Sequence, residues 1–154
     1  MPLVSVLIAA GAFAVAGAAA RDGATIVNSG STNALGYTID VWSNGSAVVT
    51  LRDRTGTALG TPKPFSLPDA VASRFMADLK AARAAKPPAS ACMKSASFGT
   101  TTHVEWHGWT SPDLDCPPRN APTAALVHDV GVIRLASGAD TATPPRRSPL
   151  PPQR

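Results

Sequence analysis

This 154-residue chain has only two cysteines, one tyrosine and 5% aromatic residues, and 16% of it is charged. Its cysteines, Cys92 and Cys116, do not form the C-x-x-C spacing that zinc ribbons and thiol-redox motifs require. No serine sits in G-x-S-x-G, and Met93-Lys94-Ser95 is not an S-x-x-K arrangement, so a hydrolase signature is missing. Basic charge is not concentrated in the part that folds. The net charge of +4 comes largely from Arg146, Arg147 and Arg154, whereas residues 21–140 carry 11 Lys and Arg against 10 Asp and Glu. A nucleic-acid partner would require a basic folded surface, and this balance excludes one.

What is present begins with an apolar run over residues 2–20, closed by Ala18-Ala19-Ala20 and followed by Arg21 and Asp22. The run reads as a secretory signal peptide with an A-x-A cut before Arg21, although its start lacks Lys or Arg. An uncleaved anchor is the alternative, but Ala and Gly make the run a poor one. No Cys follows it, so a lipoprotein is not indicated. The expected mature protein is secreted or periplasmic, keeps no stable membrane span after cleavage, and is a monomer of one domain. In an oxidising compartment Cys92 and Cys116 most simply form one bridge. Closing a loop of about 25 residues would stabilise by roughly 3 kcal/mol on the chain-entropy treatment.

Periodicity predicts an α+β domain over residues 21–140: an antiparallel sheet of two hairpins, two helices on one of its faces, and one disulfide. Thr25-Ile26-Val27 is a short strand and Asn28 to Gly36 a loop. Tyr37 to Leu51 is a hairpin around Ser43-Asn44-Gly45. A three-residue loop with Gly45 left-handed pairs Val41 with Ala47, Ile39 with Val49 and Tyr37 with Leu51, all apolar on one face. Trp42, Asp40, Thr38, Val48 and Thr50 then share the other. Gly56, Gly60 and Pro62 mark Arg52 to Lys63 as loop, with one short strand at Ala58-Leu59. Pro68 suits the first turn of a helix capped at Ser66 or Leu67, with Val71, Phe75, Leu79 and Ala82 as its apolar stripe. A second hairpin runs from Phe98 to Leu114, turning near His107-Gly108. Asn120 and Pro122 open a second helix with Leu126, Val130 and Ile133 inward and Gly138 at its end. From Thr141 on, Pro and Arg predict a disordered tail.

Cys92-Met93-Lys94-Ser95-Ala96-Ser97-Phe98-Gly99-Thr100 and Ser111-Pro112-Asp113-Leu114-Asp115-Cys116, with Ile26-Val27-Asn28-Ser29-Gly30 and Gly36-Tyr37, form a pattern. It resembles one in short exported bacterial proteins of uncharacterised function. That resemblance implies an exported domain with Cys92 paired to Cys116, and no activity.

Three groups of residues could carry chemistry. His103, Glu105 and His107 point the same way on a straight strand, but they span about 13 Å, too far for one ion. A metal site would need a bulge or help from His128, Asp113 or Asp115; no metal or other cofactor is called for. Trp42 on the open face, with Trp109 near its rim, suits a sugar or a peptide. The turn-rich Ser111–Asp115 loop, with Ser111 and Asp113 as candidates, is tethered by Cys116 and is the kind of pre-organised loop that inhibitors use. The reading is a non-catalytic binding module of the cell envelope or extracellular space, inhibitor activity included, whose partner is an envelope protein, a peptide or a glycan. The alternative is a small secreted hydrolase or metal-dependent enzyme using His103, Glu105 and His107. A flat face favours the first, and a cleft holding two of these with His128 favours the second.

Overall fold

The computed structural model describes residues 22–89, 92–95 and 99–139. The expected signal peptide, Phe98 and the tail expected from Thr141 lie outside the described residues. The chain forms strands β1 (Gly23–Asn28), β2 (Gly36–Trp42), β3 (Ser46–Arg52) and β4 (Ala58–Ser66), then helix α1 (Asp69–Ala84). Strands β5 (Thr102–Trp106) and β6 (Trp109–Thr110) and helix α2 (Ala121–Ser137) complete it. All six strands belong to one antiparallel sheet in the order β4-β3-β2-β1-β5-β6. The fold is α+β, and both expected hairpins are in it. β1 joins them by pairing with β2 on one side and β5 on the other.

The register of the first hairpin follows from burial. Val41 pairs with Ala47, Ile39 with Val49 and Tyr37 with Leu51. Gly45 adopts φ 80°, the left-handed conformation that closes a three-residue loop. It has a second duty there: its carbonyl accepts a hydrogen bond from Leu67 N at 2.8 Å, and a Cβ on it would come within 2.6 Å of Leu67 O. The chain running into α1 is thereby seated on the hairpin tip. His107 and Gly108 both have positive φ, 46° and 70°, as a two-residue turn between right-twisted strands requires.

One face of the sheet makes the core. Ile26, Ile39, Val41 and Val104 are fully buried against Phe75 and Leu79 of α1 and Leu126 and Ile133 of α2. The inward side of α1 is Ala72, Phe75, Met76, Leu79 and Ala82. Val71, expected in that stripe, is only partly buried against it. The start of α1 also differs slightly: Pro68 is itself the cap, extended at ψ 141°, so the helix begins at Asp69 rather than within the proline's own turn. α2 follows expectation closely. Asn120 Oδ1 accepts from Thr123 N at 2.8 Å, a proline lies in the first turn, and Gly138 ends the helix at φ 68°.

β4 corrects the expectation of a loop. It runs for nine residues, not two, and pairs Phe65 with Ala47, Pro64 with Val48 and Lys63 with Val49 before the register shifts. Glycine and proline in Ala58–Ser66 read as breakers, yet an edge strand needs hydrogen bonds on one side only. There a proline with its nitrogen turned outward loses nothing.

Candidate functional site: the uncovered sheet face

Both helices cover one face of the sheet, and the side chains of the opposite face are set out by strand register. Asp40 lies opposite Thr25 and Thr25 opposite Glu105, so two carboxylates flank one threonine across three strands. The next row is Thr38, Val27 and His103. Thr25 Oγ1 donates to Asp40 Oδ1 at 2.7 Å, which fixes both side chains. Arg52 leans over from β3, its Nε 3.4 Å from Thr38 Oγ1 and its Nη1 donating to Gly56 O at 2.7 Å. A groove of about 370 Å³ results. Thr25, Val27 and Thr38 form its floor, and Arg52, Asp53 and Glu105 stand around it.

Trp42 ends β2 on this face, half-buried. A Cβ built on Gly23 would fall 2.8 Å from Trp42 Cδ1 and 3.0 Å from Nε1. The indole therefore packs closely against the backbone of β1 at Gly23, where a Cβ would collide with it. Trp42 also lines a broader depression of about 570 Å³ together with Ser46, Val48, Pro64 and Ser66. On β2, Asp40 stands between Trp42 of the one hollow and Thr38 of the other, which the strand separates by about 13 Å.

The three residues of the His-Glu-His pattern do not stay together. His103 Nε2 and Glu105 Oε1 are 3.2 Å apart on the open face. His107 belongs to the turn, and its Nε2 meets Asp22 Oδ1 at 2.9 Å. That same oxygen accepts from Trp106 Nε1 at 2.9 Å. The indole hydrogen bond, then His107 with Lys80 nearby, outweighs desolvation and holds the Asp22 carboxyl below its ordinary range. His128 cannot join His103 and Glu105, because it projects from α2, on the covered side of the sheet, beside Asp129 at 3.3 Å. Among the described residues no group of three or more His, Cys, Asp or Glu is arranged to hold a metal ion.

Trp109 pairs with Trp106 and packs against the core, so it is not at the rim of the open face. Paired residues in a ladder share a face, and Trp106 is a core residue.

The Ser111–Asp115 loop is tied up by its own bonds. Ser111 is buried, its hydroxyl accepting from Val104 N at 2.9 Å and donating to Pro112 O at 2.8 Å. Asp113 Oδ1 accepts from Thr102 N at 3.3 Å and Asp115 N at 3.1 Å, while Oδ2 binds Lys94 Nζ. Lys94 also reaches Thr100 O, with Asp115 Oδ2 at 3.9 Å. Burial raises the Asp113 carboxyl, but Lys94 and the two amides together bring it below the ordinary value. Cys92 and Cys116 are bonded with their Cα atoms 5.7 Å apart, clamping Lys94 onto the loop. In the sequence Lys94 is marked only by its place two residues after a bridging cysteine, inside the Cys92–Thr100 pattern.

A second group that sequence patterning does not reveal lies between the helices. Asp129 is 1% exposed and accepts from Arg74 Nε at 2.7 Å. Asp78, one turn beyond Arg74 on α1, is pushed above its ordinary value by burial, then by a hydrogen bond to and the charge of Asp129. A lone Asp among the apolar positions of α2 is the one sign of it in the sequence.

Comparison with protein families, curated proteins and solved structures finds no match. No helix of the described residues is long and apolar enough to cross a membrane.

Proposed function

We propose that this protein is an exported, non-catalytic binding module that meets its partner with the open face of its sheet. The observation that carries the proposal is the indole of Trp42, packed over Gly23 near a groove with hydroxyl groups in its floor and charged side chains around it, on the sheet face that no helix of the described residues covers. Surfaces of this kind, with an aromatic anchor inside a polar rim, are where binding energy concentrates. Export is supported by the apolar leader, by the Cys92–Cys116 bridge and by the resemblance to exported bacterial proteins. The enzyme reading is weakened because His107 is paired with Asp22, away from His103 and Glu105.

Probing peptide and glycan arrays with the mature domain tests the proposal. Binding that falls at least about tenfold in a Trp42→Ala, Glu105→Gln variant supports it. Leu135→Ala, a change at an exposed α2 residue, is the control. Binding that survives the first variant and disappears in the control would move the contact surface to the helices. Export is tested on the native protein by mass spectrometry: an N-terminus at Arg21 and no alkylatable thiol before reduction are expected.

A further inference from the structure

We infer that the ligand of the open face is a neutral or amino-sugar glycan chain rather than a peptide; the inference rests on that face being the contact surface. The main-chain groups of a sheet interior are already paired in the ladder, so the face offers side chains only. Peptides that bind sheets usually add a strand at an edge. Here one edge is β4, where Pro62 and Pro64 each remove an amide donor, and the other is the two-residue β6. Neither edge can take up a strand of useful length.

The side chains that remain match a sugar. A pyranose has an apolar C–H face and a girdle of hydroxyls that both donate and accept. Trp42, seated over Gly23 and partly exposed, presents an apolar ring on which such a face can stack. Asp40 and Glu105 accept hydroxyl hydrogens in charge-assisted bonds, and Thr25, already donating to Asp40, holds that carboxylate in place. The groove carries the carboxylates of Glu105 and Asp53 against the single guanidinium of Arg52, which is itself held by Thr38 and Gly56 O. That balance opposes a polyanionic chain and accepts a neutral or amino sugar.

Calorimetry with the mature domain decides it, using chitotetraose and cellotetraose as neutral probes, an oligoguluronate as the anionic one, and a panel of short peptides. Saturable binding of a neutral oligosaccharide supports the inference, provided Trp42→Ala weakens it at least about tenfold, Trp42→Phe keeps most of it, and circular dichroism is unchanged. Stronger binding of the oligoguluronate overturns the inference, as does neutral-sugar binding indifferent to Trp42→Ala. If only peptides bind, and lose affinity in Trp42→Ala, the glycan falls while the contact face stands. If no probe binds, both are rejected.

Discussion

The two wings of the sheet are held by different means. On one side of β1 lie β2 and β3 of seven residues each and β4 of nine. On the other lie β5 of five residues and β6 of two. The long wing is kept by its ladder and by alternating apolar residues from Tyr37 to Leu51. The short wing cannot be, and it carries the cross-links instead: the Cys92–Cys116 bridge, the Lys94–Asp113 ion pair, and Asp22 joined to both Trp106 and His107. Arg83 of α1 adds a cation over the Trp106 ring at 5.3 Å. Where strand pairing is short, side-chain and covalent ties take its place.

The comparison breaks most visibly in the long wing. Ile39, fully buried at the centre of β2, should cost about 2–5 kcal/mol when changed to Ala, measured by denaturant unfolding. The loss should be global, because the core is continuous from β2 to both helices.

Removing the bridge with Cys92→Ser, Cys116→Ser is expected to cost roughly 3 kcal/mol. Its signature should be local. Hydrogen exchange should quicken at Thr102–Trp106 while β2 and β3 stay protected. Equal loss of protection in both wings would end the division drawn between them.

Asp113→Asn is smaller again, at about 1–3 kcal/mol, since it removes the charge that Lys94 and two amides engage. Its pH dependence has a definite sign. The folded carboxyls of Asp113 and Asp22 lie below their ordinary values. Their stabilisation is therefore present above the unfolded pKa and lost as pH falls through the folded one. Acid should therefore loosen β5 and the loop that Asp113 holds, which exchange at β5 measured along an acid titration will show. Asp22→Asn should remove part of that sensitivity.

The weakest effect is expected outside both wings. Asp78 is raised, so its contribution is complete below the unfolded pKa and is lost as pH rises through the folded value. Asp78→Asn should raise the melting temperature slightly at neutral pH and leave it unchanged well below the unfolded pKa. A drop at neutral pH would show that Asp78 is needed as a carboxylate.

Much of the fold is legible in the order of residues alone. The first hairpin can be registered residue by residue, because one slip would turn Val49 and Leu51 outward. The α2 cap at Asn120 and the stop at Gly138 are local chemistry and are readable as such. β4 is not, because the signal of glycine and proline is the same in a loop and in an edge strand; only the neighbour tells them apart. The candidate site is legible in part. Trp42 and Glu105 can be assigned to the open face by alternation, whereas Trp109 cannot be assigned inward without knowing that it pairs with Trp106. His107 reads as the end of a strand row, and the turn at His107-Gly108 takes it out of the alternation.

The pairing of Cys92 with Cys116 follows from there being two cysteines, and the sequence by itself also determined what depends on neighbours along the chain: the alternation of β2 and β3, the turn glycines, and the two ends of α2. Those are short-range preferences, and each residue carries its own. Tertiary structure alone decided which strand lies beside which and hence what shares a face. Thr25 sits between Asp40 and Glu105, Trp42 lies on Gly23, and Lys94 rests against Asp113 because elements distant in the chain meet there. No local preference encodes those meetings. They are set by the burial of one continuous core, which among the described residues leaves the opposite face of the sheet uncovered.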